Sequence, residues 1–221
     1  MNQEIKANDN AIEFGLPLKI SSVFLSYLFH PVFIPLFVAY FILYVHPLVF
    51  VGFSDSDKLR TFIIVALNLV FFPLISVLLL KALGFIDSIF LKTQKDRIIP
   101  YIACGIFFFW TYTVFKGQTQ YPVLWNAYIL GIFIAASVAL IANIYFKVSM
   151  HAIGMGGWLG YFLYIALHNS MFMTWPLCLV ILITGVVSTA RLILNQHSPF
   201  DIYAGLAIGF LSQFAAIYFI L

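Results

Sequence analysis

Long apolar runs alternate with short polar clusters along almost the whole chain. The run 125–146 contains no charged residue, and its length matches the roughly 20 residues with which a helix crosses the hydrocarbon core of a bilayer. Comparable runs recur along the sequence, so the pattern predicts an all-α, polytopic membrane helix bundle of six to seven transmembrane helices. The predicted spans are 20–45, 59–83, 98–116, 125–147, 151–169, 172–194 and 200–221.

The composition excludes a soluble domain. Hydrophobic residues make up 63% of the chain and charged residues 9%, whereas soluble domains are about 45–50% apolar and about 25% charged. The net charge of +3 is small and spread along the sequence, so no nucleic acid partner is expected. We expect an integral multi-pass protein, placed in the plasma (inner) membrane, whose neighbours are membrane lipids.

The N-terminal residues differ from the rest of the chain. Residues 1–19 are rich in charged and amide side chains and lack the basic, apolar and small-residue order of a cleaved signal peptide. We therefore predict a polar tail at 1–19 and a single transmembrane domain at 20–221. Pro31 and Pro35 should kink the first span, which is partly interfacial in one interpretation.

Three polar clusters are predicted to lie on one face of the membrane. They occupy residues 92–97, 147–151 and 191–201. Two predicted spans separate each cluster from the next, so the chain returns to the same face each time. Charged side chains that are distant in sequence are therefore expected to converge at one end of the bundle.

The third cluster carries the strongest chemical signal. Arg191, His197 and Asp201 lie beside apolar spans, where ionisable residues are costly and usually functional. If a helix begins after Pro199, the four-residue spacing brings Asp201 to Nδ1 of His197 and leaves Nε2 free as a nucleophile or base. The planar guanidinium of Arg191 suits phosphate oxygens. Together these residues predict a site that reacts with phosphate.

The same cluster resembles the last sequence block of the type 2 phosphatidic acid phosphatase (PAP2) family, SRxxxxxHxxxD. Arg191, His197 and Asp201 reproduce its spacing, with Ala190 in place of the family Ser. The second family block, PSGH, is similar to residues 148–151, in which Val148 replaces Pro and Met150 replaces Gly. Ser149 and His151 are retained.

The first family block, KxxxxxxRP, has the weakest counterpart. Arg97 is the equivalent of the family Arg, but Pro100 does not follow it directly and Phe90 occupies the family Lys position. The missing cation would come from Lys92, Lys95 or Lys147, and the sequence does not choose among them. The resemblance covers residues 91–209.

The resemblance implies a lipid phosphate phosphatase that needs no cofactor and no metal. His197 would attack phosphorus to form a phosphohistidine, Asp201 would fix its tautomer, and His151 would protonate the leaving oxygen and then activate water. Arg191, Arg97 and Ser149, with one of the lysines, would hold the phosphate oxygens. Phosphatidate, phosphatidylglycerol phosphate and polyprenyl diphosphate fit equally as the lipid phosphate substrate.

Three alternatives remain open at this stage. In the first alternative, His197 and Asp201 form half of a metal site, although the sequence has no further Asp/Glu cluster to complete it. A relative with the same chemistry would instead pass the phosphoryl group or headgroup to an alcohol. A non-catalytic lipid-phosphate-binding or transport protein would use His197 and Asp201 as a proton relay.

The remaining histidines and the cysteines have no comparable context. His30, His46 and His168 are interpreted as structural or interfacial residues. Cys104 and Cys178 lie in apolar spans without the spacing of a metal site or a redox pair, so we interpret them as buried packing residues.

Overall fold

The computed structural model describes residues 14–91, 93–168 and 172–221. Within these ranges the chain is all-helical, with 80% helix and no strand. Seven helical segments are long and apolar enough to cross a membrane by length and composition. The predicted fold class is therefore confirmed, with the upper of the two predicted helix counts, and the seven segments indicate an integral membrane protein.

Nine α-helices are assigned in the described ranges, and two of the crossing segments are interrupted. The helices are α1 (Leu16–Leu28), α2 (Ile34–Tyr40), α3 (Asp55–Val65), α4 (Phe72–Ala82), α5 (Gln94–Lys116), α6 (Val123–Tyr145), α7 (Met150–His168), α8 (Thr174–Ile193) and α9 (Pro199–Ile220). A 3₁₀ turn at Pro31–Phe33 lies between α1 and α2, and π turns at Phe41–Val45 and Ala66–Phe71 follow α2 and α3.

Several helices begin before the apolar runs that predicted them. The helices α3 and α5 each start four residues earlier than the predicted spans at 59 and 98. The Ser54 hydroxyl accepts the Asp57 N–H at 3.2 Å, and the Thr93 hydroxyl accepts the Asp96 N–H at 3.1 Å. These caps satisfy first-turn N–H groups, so a polar turn extends each helix beyond its apolar part. Similarly, α1 includes the last four residues of the predicted tail.

The predicted kink in the first segment is present. Helix α1 ends before Pro31, which has no N–H to continue a helix, and the Nδ1 atom of His30 accepts the Val32 N–H at 3.4 Å in the turn that follows. From this turn onward the chain runs parallel to α7. Three ring pairs mark the alignment: His30 with His151 at 5.3 Å, Phe37 with Trp158 at 5.7 Å and Phe41 with Phe162 at 4.8 Å.

Helices α7 and α9 pack at very short range, and this contact positions the site. A Cβ atom at Gly209 would overlap the Ile153 carbonyl oxygen, and one at Gly156 would overlap the Leu206 carbonyl oxygen. Glycine is therefore required for the backbones to approach this closely. Because the two helices run parallel, their first turns lie side by side at one end of the bundle.

Candidate active site

One end of the bundle gathers nearly all the polar residues that the sequence singled out. The first turns of α5, α7 and α9 meet the last turn of α8 there, and the Ser149 N–H donates to the Asp201 carbonyl oxygen at 3.2 Å. We refer to this group as the polar cluster. Its members are Arg97, Lys147, Ser149, His151, Arg191, His197 and Asp201.

His197 lies in the short connection between α8 and α9. Its Nδ1 atom is 3.5 Å from Oδ2 of Asp201, and its side chain is 4% exposed. The start of α9 fixes the carboxylate through a capping box, in which Asp201 Oδ2 accepts the Ser198 N–H at 2.9 Å and the Ser198 hydroxyl accepts the Asp201 N–H at 3.2 Å. Pro199 in the first turn suits this start, because its missing N–H would have no partner there.

The surroundings of His197 keep its imidazole neutral. Burial lowers the pKa of His197 from 6.5 to about 4, and the positive charges of Arg191, Arg97 and Lys147 act in the same direction. The Asp201 carboxylate opposes this shift. At neutral pH the ring therefore carries a lone pair, as a nucleophile requires. The same three cations lie close enough to act on a phosphate group bound at this ring.

Arg191 is buried in the last turn of α8. Its Nη2 group donates to the side-chain oxygen of Gln196, while Nε has no partner within the described residues. Asn195, with φ of 51°, turns the chain so that Gln196 faces back toward Arg191, a conformation that Asn tolerates better than most residues. The sequence analysis missed Gln196, although its place between Arg191 and His197 was a signal.

His151 lies in the first turn of α7 and is buried. Its Nε2 atom is 3.0 Å from the carbonyl oxygen of Ser26 in α1, and its ring meets the ring of His30 at 5.3 Å and 82°. The sequence analysis assigned His30 a structural or interfacial role and did not single out Ser26. No spacing signal links these residues to His151, since more than 120 positions separate them.

Ser149 and Lys147 precede α7 in a segment that also contacts the connection between α8 and α9. Ser149 is fully buried, and its hydroxyl accepts the Ala152 N–H at 3.4 Å, which leaves the hydroxyl proton for another oxygen. The ammonium of Lys147 donates to the Gln196 carbonyl oxygen at 3.4 Å. Partial burial lowers the pKa of Lys147, as do Arg97 and Arg191, while Asp201 opposes the shift.

Arg97 is tied to the backbone. Its Nε donates to the Leu91 carbonyl oxygen at 2.8 Å and its Nη1 to the Val148 carbonyl oxygen at 2.7 Å. These bonds join the loop before α5 to the segment before α7, and Nη2 takes part in neither of them. Among the candidate lysines, Lys95 is exposed on the first turn of α5, and Lys92 lies outside the described residues.

The donor set differs from that of a metal centre. In the described part of the chain, no group of three or more His, Cys, Asp or Glu side chains is arranged to hold a metal ion. Cys104 and Cys178 are free thiols, and Cys178 is exposed on the apolar surface rather than buried as the sequence predicted.

The C-terminal part of the site matches a known protein family. Residues 142–221 match the model of the PAP2 superfamily, and this stretch contains the cluster members from Lys147 to Asp201. This match suggests phosphatase activity on phosphate esters. The comparisons with curated proteins and with solved structures each found no match. In residues 142–221, the chain is therefore similar to the PAP2 superfamily.

Proposed function

We propose that this protein removes phosphate from a membrane lipid phosphate or diphosphate through a phosphohistidine formed on His197. The observation that carries the proposal is the environment of His197. Its ring is neutral, its Nδ1 faces the Asp201 carboxylate at 3.5 Å, and three cations lie around it. A neutral imidazole within a positively charged site is suited to attack a phosphate group whose own negative charge the cations balance.

In the first step the lone pair on Nε2 of His197 forms a bond to phosphorus, and the bond from phosphorus to the lipid oxygen breaks. His151 in its protonated form gives its proton to the departing oxygen, so a lipid phosphate leaves as the alcohol and a lipid diphosphate leaves as the lipid monophosphate. Asp201 stabilises the imidazolium that His197 becomes, as in other carboxylate–histidine pairs. Nε of Arg191, which has no partner in the described part of the chain, is available for the equatorial oxygens.

In the second step a water oxygen attacks phosphorus and the bond from phosphorus to His197 breaks. His151, now neutral, accepts a proton from that water, so inorganic phosphate leaves and both histidines return to their starting states. The cations and Ser149 provide the charge stabilisation that a divalent ion supplies in many phosphatases. We therefore expect the reaction to proceed without a metal.

An apolar groove beside the site supports a lipid substrate. The groove has a volume of about 430 Å³ and lies between the end of α1 and the start of α2; its lining residues are Phe24, Tyr27, Leu28, Phe33, Leu36 and Phe37. Its lining residues include sequence neighbours of Ser26 and His30, and those two residues contact His151. A substrate whose phosphate reaches the polar cluster would thus find an apolar surface for its hydrocarbon tail.

The direct test is phosphate release by the purified protein in detergent with EDTA present. The panel would contain phosphatidate, phosphatidylglycerol phosphate and a polyprenyl diphosphate, with His197→Ala as the inactive control. Single turnovers with ³²P-labelled substrate, quenched in alkali, would trap label on the wild-type protein and none on His197→Ala. Absence of phosphate release from every lipid would contradict the proposal.

The same assay separates the rival functions. A phosphotransferase would form more transfer product than inorganic phosphate when an acceptor alcohol is supplied. A non-catalytic protein would bind a lipid phosphate without turnover, and His197→Ala would then change only binding.

A further inference from the structure

The carbonyl group of Ser26 is left free by the end of α1. In a continuous helix this oxygen would accept the N–H of His30. Here the His30 N–H instead donates to the Tyr27 carbonyl oxygen at 3.3 Å, because the chain leaves the helix before Pro31. Carbonyl groups orphaned at a helix end need another donor. For Ser26 that donor is Nε2 of His151, at 3.0 Å.

This contact defines which nitrogen of His151 holds a proton permanently. A backbone carbonyl can only accept a hydrogen bond, so the proton lies on Nε2. The lone pair of the neutral ring is then on Nδ1. In a neutral imidazole one nitrogen carries the proton and the other carries the lone pair. With the proton on Nε2, the atom of His151 that is available for proton transfer is Nδ1.

Two further features of the first segment act on the same ring. His30 packs against it edge to face, with ring centroids 5.3 Å apart, and limits its rotation. The C-terminal end of α1 carries the partial negative charge of a helix terminus. This terminus lies against the ring, because its Ser26 carbonyl oxygen contacts Nε2.

We propose that the first membrane segment positions the proton-transferring histidine of the site, with the Ser26 carbonyl holding Nε2 of His151 and His30 supporting the ring, so that Nδ1 exchanges the proton. The proposal rests on the function proposed above for His151. It assigns a role in that reaction to residues of α1 and the turn after it, which lie outside the matched region 142–221. Ser26 and His30 are positioning residues, since both act through His151.

A leaving-group comparison tests the role of His30. An alkyl phosphate needs a proton on its departing oxygen, whereas p-nitrophenolate departs without one. The His30→Ala variant should therefore lose roughly 10²-fold in kcat/KM for the alkyl phosphate and much less for p-nitrophenyl phosphate. We use kcat/KM because it reports only the steps up to the departure of the leaving group. His30→Phe, which keeps the ring contact, should recover most of the loss.

A matched control separates this effect from damage to the segment. Val23→Ala alters an exposed side chain of the same helix, 40% accessible, that does not line the apolar groove and should leave the ratio of the two kcat/KM values unchanged. Equal losses on both esters in His30→Ala, or no loss on either, would overturn the role of His30. Wild-type protein that cleaves neither ester would instead count against the proposed function.

The tautomer of His151 is measurable without turnover. In protein labelled with ¹⁵N-histidine, the resonances that disappear in His151→Gln should report, at a pH where the ring is neutral, a proton on Nε2 and a lone pair on Nδ1. A neutral ring protonated on Nδ1 instead would overturn the proposal.

A larger side chain between the first segment and α7 should change the ¹⁵N resonances of His151. A Cβ atom at Gly154 would lie 3.2 Å from Cβ of Pro31, whereas one at Gly185 would meet nothing within 4 Å. Gly154→Val should therefore weaken the Nε2-protonated signal, and Gly185→Val should not. An unchanged His151 spectrum in Gly154→Val would contradict the contact with Ser26.

Discussion

The C-terminal helices α7–α9 and the N-terminal segments α1–α5 supply the polar cluster in different ways. The C-terminal helices contribute side chains at fixed spacing along a continuous stretch, such as His197 and Asp201 at the start of α9. The N-terminal segments contribute backbone carbonyl groups and side chains that hold other residues in place. The proposed reacting groups therefore lie in the C-terminal helices, whereas the contacts from the N-terminal segments hold parts of the site in place.

Two buried arginines make the comparison concrete. Among the described residues, Nε of Arg191 has no partner and its Nη2 group donates to the Gln196 side chain. Arg97 uses Nε and Nη1 on two backbone carbonyl oxygens. Arg191 thus has donors available for a substrate, whereas two of the five N–H groups of Arg97 join the loop before α5 to the segment before α7.

The largest expected effect is at the centre of the C-terminal region. His197→Ala should reduce kcat by roughly 10⁴-fold or more, because it removes the proposed nucleophile. Asp201→Asn should retain a measurable rate, since it loses the charge and tautomer control but keeps the nucleophile. Both rates follow from phosphate release by purified protein. A wild-type kcat in His197→Ala would contradict the assignment of the reacting groups to the C-terminal helices.

Substitution by lysine should affect the two arginines differently, with a loss of activity at one and a loss of stability at the other. Arg191→Lys should lose roughly 10²- to 10³-fold in kcat with little change in thermal stability, because an ammonium cannot reproduce the guanidinium fork. Arg97→Lys should lower the free energy of unfolding by about 1–3 kcal/mol, because the carbonyl groups of Leu91 and Val148 lose their donors. Thermal unfolding in detergent and phosphate release measure the two effects.

Activity provides the remaining test of Arg97. If its free Nη2 also contacts phosphate, Arg97→Lys should lose activity at temperatures where the variant is fully folded. A stable Arg97→Lys variant together with an unstable Arg191→Lys variant would reverse the assignment of the two roles.

The sequence predicted the C-terminal half of the site because its information is local there. The spacing of His197 and Asp201 becomes a contact as soon as a helix begins at Pro199, and Pro199 and Ser198 are recognisable helix-start residues. The alternation of apolar spans placed His151 at the same end of the bundle. Hydropathy and short-range spacing were therefore sufficient for these residues.

The N-terminal contribution was not predictable in the same way. Every residue has a backbone carbonyl group, so the sequence does not single out that of Ser26. Whether this group is available depends on where α1 ends. His30 meets His151 through the packing of two segments that are far apart in sequence. Helix starts were also misplaced by about four residues at α3 and α5, because hydropathy does not detect capped polar turns.

A smaller effect should identify the lysine that serves the cluster. Lys147 lies beside the Gln196 carbonyl group and acts on the pKa of His197, whereas Lys95 is exposed on α5. Lys147→Ala should slow phosphate release about 10-fold, the size expected for a lost hydrogen bond to a charged group. Lys95→Ala should have a near-native rate. The opposite ranking would place the missing cation of the first block on α5, and a loss only in Lys92→Ala would place it before that helix.

The smallest expected effect is a shift in pH dependence, and its direction differs between two variants. In the proposed reaction the neutral form of His197 is the nucleophile, so kcat/KM should fall as pH decreases through its pKa of about 4. The groups that act on this ring are Arg191, Arg97 and Lys147, which lower its pKa, and Asp201, which raises it. Lys147→Ala removes a positive charge, so the pKa of His197 should rise toward 6.5. The acid limb, which is the fall of kcat/KM at low pH, should therefore move to higher pH.

Asp201→Asn should move the same limb to lower pH, because it removes the charge that favours the imidazolium. Each shift should be smaller than the effect of burial, which is the largest cause of the low pKa. Comparison of each variant with wild type on one substrate cancels the titration of the phosphate itself. Shifts of the same sign in both variants would show that a group other than His197 controls the acid limb, and the nucleophile would then have to be sought elsewhere in the polar cluster.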